Sequence, residues 1–135
     1  MPSLVGSEMC IRDSPYTIPI NFYYDEADNI IYFHGAKEGH KADAVNRCDK
    51  VCLTVWNQGF KKEGHWEWNP TSVVVFGKVK PVTENNIFED RLRKLAAKYY
   101  PTTDEIEEEM ERSASRTQLF AIKIEHMTGK LVNEK

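Results

Sequence analysis

The chain has 135 residues, 41% of them hydrophobic and 29% charged, which is enough for one closed core and too little for two. A formal net charge of −3 excludes a general pull toward nucleic acid or an anionic membrane surface, so any anion recognition must be local. No stretch approaches the roughly 20 apolar residues of a membrane-crossing helix. Nothing reads as a secretory signal, and three cysteines, Cys10, Cys48 and Cys52, suit a reducing cytoplasm better than a disulfide framework.

The first fourteen residues do not behave like the rest. Residues 4–14 are similar to a one-frame translation of a transposase-type sequencing adapter, so residues 1–14, with Cys10, are set aside as a non-native segment. A real N-terminal arm is the alternative reading. The single native domain is then expected over residues 15–135, without its first strand. An unpaired edge left by that strand is expected to lower stability and promote aggregation.

From there, residues 15–24 alternate, with Tyr16, Ile18, Ile20 and Phe22 on one face and Thr17, Pro19, Asn21 and Tyr23 on the other. Pro19 lacks a donor and marks an edge strand or an interrupted ladder. Polar residues 25–29 make a turn into a second β-rich run over residues 29–34, giving a hairpin. Between residues 35 and 48 the period switches: Ala42, Val45 and Asn46 space like a short helix after a glycine-bearing loop.

Residues 50–56 read as a third strand, residues 57–70 as a long polar loop with Trp66 and Trp68, and residues 71–82 as the longest strand. Gly77 within that strand predicts a bulge or sharp bend. Phe88, Leu92, Leu95 and Tyr99 form an apolar helical stripe ended by Pro101. Thr103 is expected to cap a short acidic helix reaching Arg112, with Glu107, Glu108 and Glu109 on a solvated face. A last strand over residues 119–124 completes about five short strands with helical covers. That pattern favours a small barrel over a parallel βαβ sheet.

The chemistry concentrates between Tyr32 and Asp43. A strand delivers His34, Gly35 and Gly39 allow close backbone approach, and a helix follows with free N–H groups in its first turn. That is a local anion site, to which His40 and Lys41 add donors suited to a phosphate monoester. A plain glycine turn with a solvated lysine fits the same spacing. His34 shares a strand face with Ile30 and Tyr32, so it is either a satisfied core or interface residue or a hydrogen-bonding group at a ligand. Cys48 and Cys52 could join His34 or His40 around zinc, but small thiols in an apolar setting suit the pattern better and no metal is assigned. Trp66 and Trp68 read as helix packing, a lid, or a partner anchor.

Residues Pro15-Tyr16-Thr17-Ile18-Pro19-Ile20-Asn21-Phe22, then Ile31-Tyr32-Phe33-His34-Gly35-Ala36 with Gly39 and Lys41, resemble the pyridoxamine 5'-phosphate oxidase-like superfamily, in its branch related to nitroimidazole-resistance proteins. Ser72-Val73-Val74-Val75-Phe76-Gly77 and Thr128-Gly129-Lys130 continue the resemblance in order across residues 15–130. It implies a mainly β fold, an FMN-binding Greek-key split barrel, working as a cytoplasmic homodimer with flavin at the subunit interface. It further implies that His40 and Lys41 hold the FMN phosphate with Glu38 and Gly39 in the same cofactor-binding loop, that His34 lies near the flavin, and that Pro19, Ile20 and Asn21 lie against the isoalloxazine. Ser72 and Val74 would reach the flavin of the other subunit. No basic pair stands on the first native strand, as it does in true pyridoxamine phosphate oxidases.

Two function classes follow. One is a flavin-dependent oxidoreductase acting on a small molecule, with NAD(P)H as electron donor; the other is a flavin- or haem-binding module without turnover. On either reading, Lys41→Ala removes a charge-assisted phosphate contact. Titration with FMN should show binding weakened by roughly 1.5–3 kcal/mol, and an unchanged dissociation constant would count against the assignment.

Overall fold

The computed structural model describes residues 4–11 and 14–131; the side chains of residues 4–11, 14–16, 40 and 41 are outside that description. In chain order the elements are β1 (Leu4–Ile11), β2 (Ser14–Pro19), β3 (Phe22–Asp25), β4 (Ile30–Ala36), α1 (His40–Arg47) and β5 (Lys50–Trp56). A short ribbon follows, β6 (Phe60–Lys61) with β7 (Trp68–Asn69), then β8 (Thr71–Pro81), α2 (Asn85–Ala97), α3 (Thr103–Ser113) and β9 (Thr117–Leu131). Among the described residues no helix is long and apolar enough to cross a membrane.

Seven strands form one antiparallel sheet in the order β2-β1-β5-β8-β9-β4-β3. Its two edge strands, β2 and β3, are consecutive in the chain and separated only by Ile20 and Asn21. Three peptide steps reach at most roughly 11 Å, so the sheet has to curl until its edges nearly meet. No ladder joins β2 to β3, and the barrel is split at that seam. Pro19, the last residue of β2, lies where its missing donor predicts an interruption.

The edge expected to be empty is filled. Leu4–Ile11 pairs with β2 on one side and β5 on the other. Strand pairing uses backbone amides that almost any sequence supplies, so this segment can satisfy an otherwise open sheet edge.

The curled sheet has two apolar layers. Its concave side holds Phe33, Leu53, Val75, Val79, Phe120 and Ile122, all nearly inaccessible, with Phe33 and Phe120 stacked at 5.0 Å. Ile20 and Phe22 pack on this layer, as their alternation predicts. On the convex side Tyr32, Leu119 and Ala121 meet Leu92 and Leu95 of α2 and Met110 of α3. Because β4 is covered on both faces, Ile31, Tyr32 and Phe33 are buried in succession.

Gly77 is the bend expected of it. The β8–β9 register shifts between Phe76 and Gly77, and a Cβ there would lie 2.3 Å from the Lys123 carbonyl oxygen. β9 runs on to Leu131, well beyond the short strand expected, because its second half pairs with the first half of β8. The cap of α3 is Thr102 rather than Thr103: its Oγ1 accepts from Glu105 N–H at 3.3 Å. Trp66, 84% exposed, is too accessible for a helix-packing role; the ribbon around it is held by Asn57, which accepts from Gly59 and Thr71 N–H at 2.9 Å.

One polar clamp fixes α2 to the barrel. Asp25 is buried at the end of β3, and its Oδ1 caps the turn by accepting from Ala27 N–H at 3.1 Å. Its Oδ2 lies 3.0 Å from Nε of Arg91 on α2, which also reaches Asp28 at 3.3 Å and Asp90. Arg91 sits over the Tyr32 ring, 5.7 Å from its centre. Burial alone would pull this guanidinium down, but Tyr32, Asp90 and Asp25 hold it above its ordinary value. Arg91→Ala strands a buried carboxylate and should cost about 2–4 kcal/mol in urea unfolding, whereas a loss below a few tenths would mean the clamp carries little.

Candidate functional site

β4 ends at Ala36, and residues 37–39 carry the chain to the first turn of α1. Lys37 N–H bonds to the Arg116 carbonyl at 3.4 Å, tying this loop to the start of β9. Gly39 precedes the helix with φ 122° and ψ −175°, a conformation essentially confined to glycine. It contributes no side-chain cap to the first-turn amides, and the space where its Cβ would stand is open. Backbone donors facing open space beside a helix start suit a terminal phosphate oxygen. Asp43 in the same turn dilutes the positive potential, so a dianion there relies on side-chain cations. Lys37 is exposed beside the loop and Glu38 is exposed within it; the side chains of His40 and Lys41 lie outside the described residues.

His34 lies on the same strand, two residues before its end at Ala36. It follows three buried residues yet is itself exposed, which removes the core-histidine reading. Alternation turns it to the convex side, toward α2 and α3. The β3–β4 register pairs Phe22 with Phe33, so one step past the end of that ladder Asn21 stands opposite His34. The two side chains line a single cavity of about 210 Å³. Two residues expected near one ligand, drawn from different strands, are thus brought together by the seam of the barrel.

Sequence reasoning did not find the rest of that cavity. Leu95 of α2 and Ile106 and Met110 of α3 form its apolar wall, and Tyr99 and Tyr100 are exposed where it opens. Glu109 also lines it and is half-buried, so the solvated-face reading fails for this residue while holding for exposed Glu107 and Glu108. Its carboxylate accepts from Ser113 Oγ at 2.6 Å and lies 3.6 Å from Arg112. The signal available was the four-residue step from Ile106 to Met110, one helical turn. At the mouth, Lys98 donates to the Phe22 carbonyl and sits 3.9 Å from the centre of the Phe22 ring. Burial pulls that ammonium below its ordinary value. The contact pins the end of α2 beside Asn21.

Pro19 is exposed at the seam, while Ile20 turns into the barrel core. Ser72 and Val74 are not with the others. They pair with Lys130 and Thr128, whereas His34 pairs with Leu119, eleven and nine residues earlier on the same β9 strand. At about 3.3 Å per residue that is a path of roughly 30–36 Å along the strand, and neither Ser72 nor Val74 lines the cavity that His34 does. Among the described residues no three His, Cys, Asp or Glu side chains cluster as metal ligands; Cys48 and Cys52 are both half-buried.

Comparison with known proteins agrees with this architecture. A family model described as pyridoxamine 5'-phosphate oxidase matches residues 9–131. No curated protein matches the chain. Among solved structures, a putative 5-nitroimidazole antibiotic resistance protein from Bacteroides thetaiotaomicron superposes with a TM-score of 0.76 at 21% identity, over 95% of this chain and 76% of its own. A FAD-binding protein from Mesorhizobium loti gives 0.64 at 20% identity, over 96% and 87%. A putative pyridoxamine 5'-phosphate oxidase from Listeria innocua gives 0.65 at 15% identity, over 97% and 89%.

Gly39→Ala tests the loop. The new methyl meets no atom, so any loss comes from backbone strain alone, about 1–3 kcal/mol in chemical denaturation. Wild-type stability would show that the loop relaxes freely and that its geometry is not enforced.

Proposed function

The chain belongs to the pyridoxamine 5'-phosphate oxidase family, and we propose that within it this protein is an FMN-dependent oxidoreductase acting on a small molecule. The observation that carries the reading is the meeting of Asn21 and His34 at one cavity, with the glycine-bearing loop at the end of the same strand. The residues present fit a flavin mononucleotide. The first-turn amides of α1 with His40 and Lys41 would take the phosphate, in the loop that carries Glu38 and Gly39, and Pro19, Ile20 and Asn21 would border the ring. A FAD-binding relative of the same fold supports the flavin class.

When bound, the flavin supplies reversible two-electron transfer between a reduced nicotinamide donor and an acceptor. The chain's own residues bind and orient. His34 offers an imidazole that can give or take a proton at a ring nitrogen facing the cavity. Asn21 offers an amide donor and acceptor. Ser72 and Val74 reach a flavin only from a second copy, which favours a homodimer whose subunits complete each other's sites. Exposed Phe76, stacked on His126 at 6.3 Å, gives the outer sheet face an apolar patch of the kind such a contact would cover. The cytoplasm supplies both flavin and nicotinamide.

Adding FMN or FAD to the purified chain and recording the visible spectrum tests cofactor and choice together. We expect a yellow protein that retains FMN through desalting, and a colourless one overturns the reading. His34→Ala should lower NAD(P)H-driven turnover by about a hundredfold while changing the FMN dissociation constant only a few-fold. A wild-type flavoprotein with no turnover above free FMN would instead mark a cofactor-binding module.

A further inference from the structure

We infer that the cavity between the β3–β4 hairpin and helices α2 and α3 is a binding site for a neutral, single-ring molecule, and that Glu109 excludes anionic ones. Its use as the substrate site rests on the flavin reading above, whereas its ligand chemistry does not.

Size is the first argument. The cavity measures about 210 Å³. An apolar protein cavity of about 150 Å³ accepts benzene, so this one holds one ring with a short substituent and is too small for two. Lining is the second. Leu95, Ile106 and Met110 give an apolar wall that would strip water from a ring, which favours an uncharged occupant. Asn21 and His34 stand at the opposite side, where a substituent could exchange hydrogen bonds, so the molecule would be oriented with its polar edge toward them.

Charge is the third argument, and it decides the class. Glu109 is the one carboxylate on the cavity wall, and no lysine or arginine lines it among the described residues. The carboxylate is two-thirds buried, with its side chain 31% exposed, and its partners are Ser113 and, 3.6 Å away, the largely exposed Arg112, which is not on the cavity wall. A phosphate or carboxylate entering beside it would meet like charge with no cation on the cavity wall itself, since Lys98 stands at the mouth and Arg112 lies outside the lining. A phosphorylated pyridine ring, the substrate that the family's description names, is therefore a poor fit here, while the uncharged core of such a ring is a good one.

Benzamide and benzoate make a matched pair of probes: one ring each, similar in shape, differing in charge. With the full chain labelled at its methionine methyls, we expect benzamide to shift the Met110 signal in a saturable way, and benzoate to bind at least about tenfold more weakly. Glu109→Gln should strengthen benzoate several-fold and leave benzamide unchanged. Filling the cavity from either helix, by Ala114→Phe on the α3 side or Ala96→Leu on α2, should abolish the benzamide shift. Equal binding of both probes, an unshifted Met110, or full benzamide binding in a folded filling variant overturns the inference. FMN uptake is scored separately by absorbance. Probe binding without flavin would sink the proposed function alone, and flavin without probe binding would sink this inference alone.

Discussion

The two-residue bridge between β2 and β3 is the constraint from which the rest follows. Strands at the far edges of a seven-stranded sheet can be sequence neighbours only if the sheet curls until its edges nearly meet. Curling creates the inner core around Phe33 and Phe120 and, by the same geometry, forces the chain to turn sharply at Ile20 and Asn21. Asn21 then emerges opposite His34 because the β3 register allows no other place. The meeting of these two polar side chains is a consequence of topology, not of any local motif.

The convex face is a separate problem with a separate solution. Curling buries one side of β4, but Tyr32 and Leu119 on the other side still need cover, and α2 and α3 supply it. Helices packed only through apolar stripes can slide. Arg91, wedged against Asp25, Asp28 and the Tyr32 ring, sets the position of α2 along the hairpin, and Arg93 holds α3 to α2 through Glu107 at 2.8 Å. A pair as buried as Arg91 and Asp25 contributes positional definition more surely than net stability. The cavity exists because the helices are held at this setting and their small side chains, Ala96 and Ala114, do not fill the gap.

Much of this was legible in the sequence, for identifiable reasons. Alternation assigned Ile20 and Phe22 to the core, Pro19 announced the seam, Gly77 the bulge, and the stripe of Phe88, Leu92 and Leu95 the buried face of α2. Each is a local rule with one dominant cause. The loop before α1 was equally readable, because glycine at Gly39 has a conformational reason. What could not be read depends on distance along or between elements. That Glu109 turns inward requires knowing how α3 is rotated against α2. That Ser72 and Val74 lie far from His34 requires the β8–β9 register. The strand over Leu4–Ile11 was not expected, because the likeness of residues 4–14 to adapter sequence set them aside from the fold.

The two ends of the site are polarised in opposite senses, and His34 stands between them. On the α1 side, backbone donors and the exposed Lys37 face outward, in a chain whose net charge of −3 leaves no general attraction for anions. On the α2–α3 side, an apolar wall carries the Glu109 carboxylate. A molecule with an anionic tail and an uncharged ring can satisfy the first end, and an uncharged ring alone can satisfy the second. Exchanging them would set negative charge against Glu109 and leave first-turn amides without an acceptor. On the proposed reading, such an arrangement would sort two ligands by charge before any chemistry begins, with the imidazole at the boundary where both would meet.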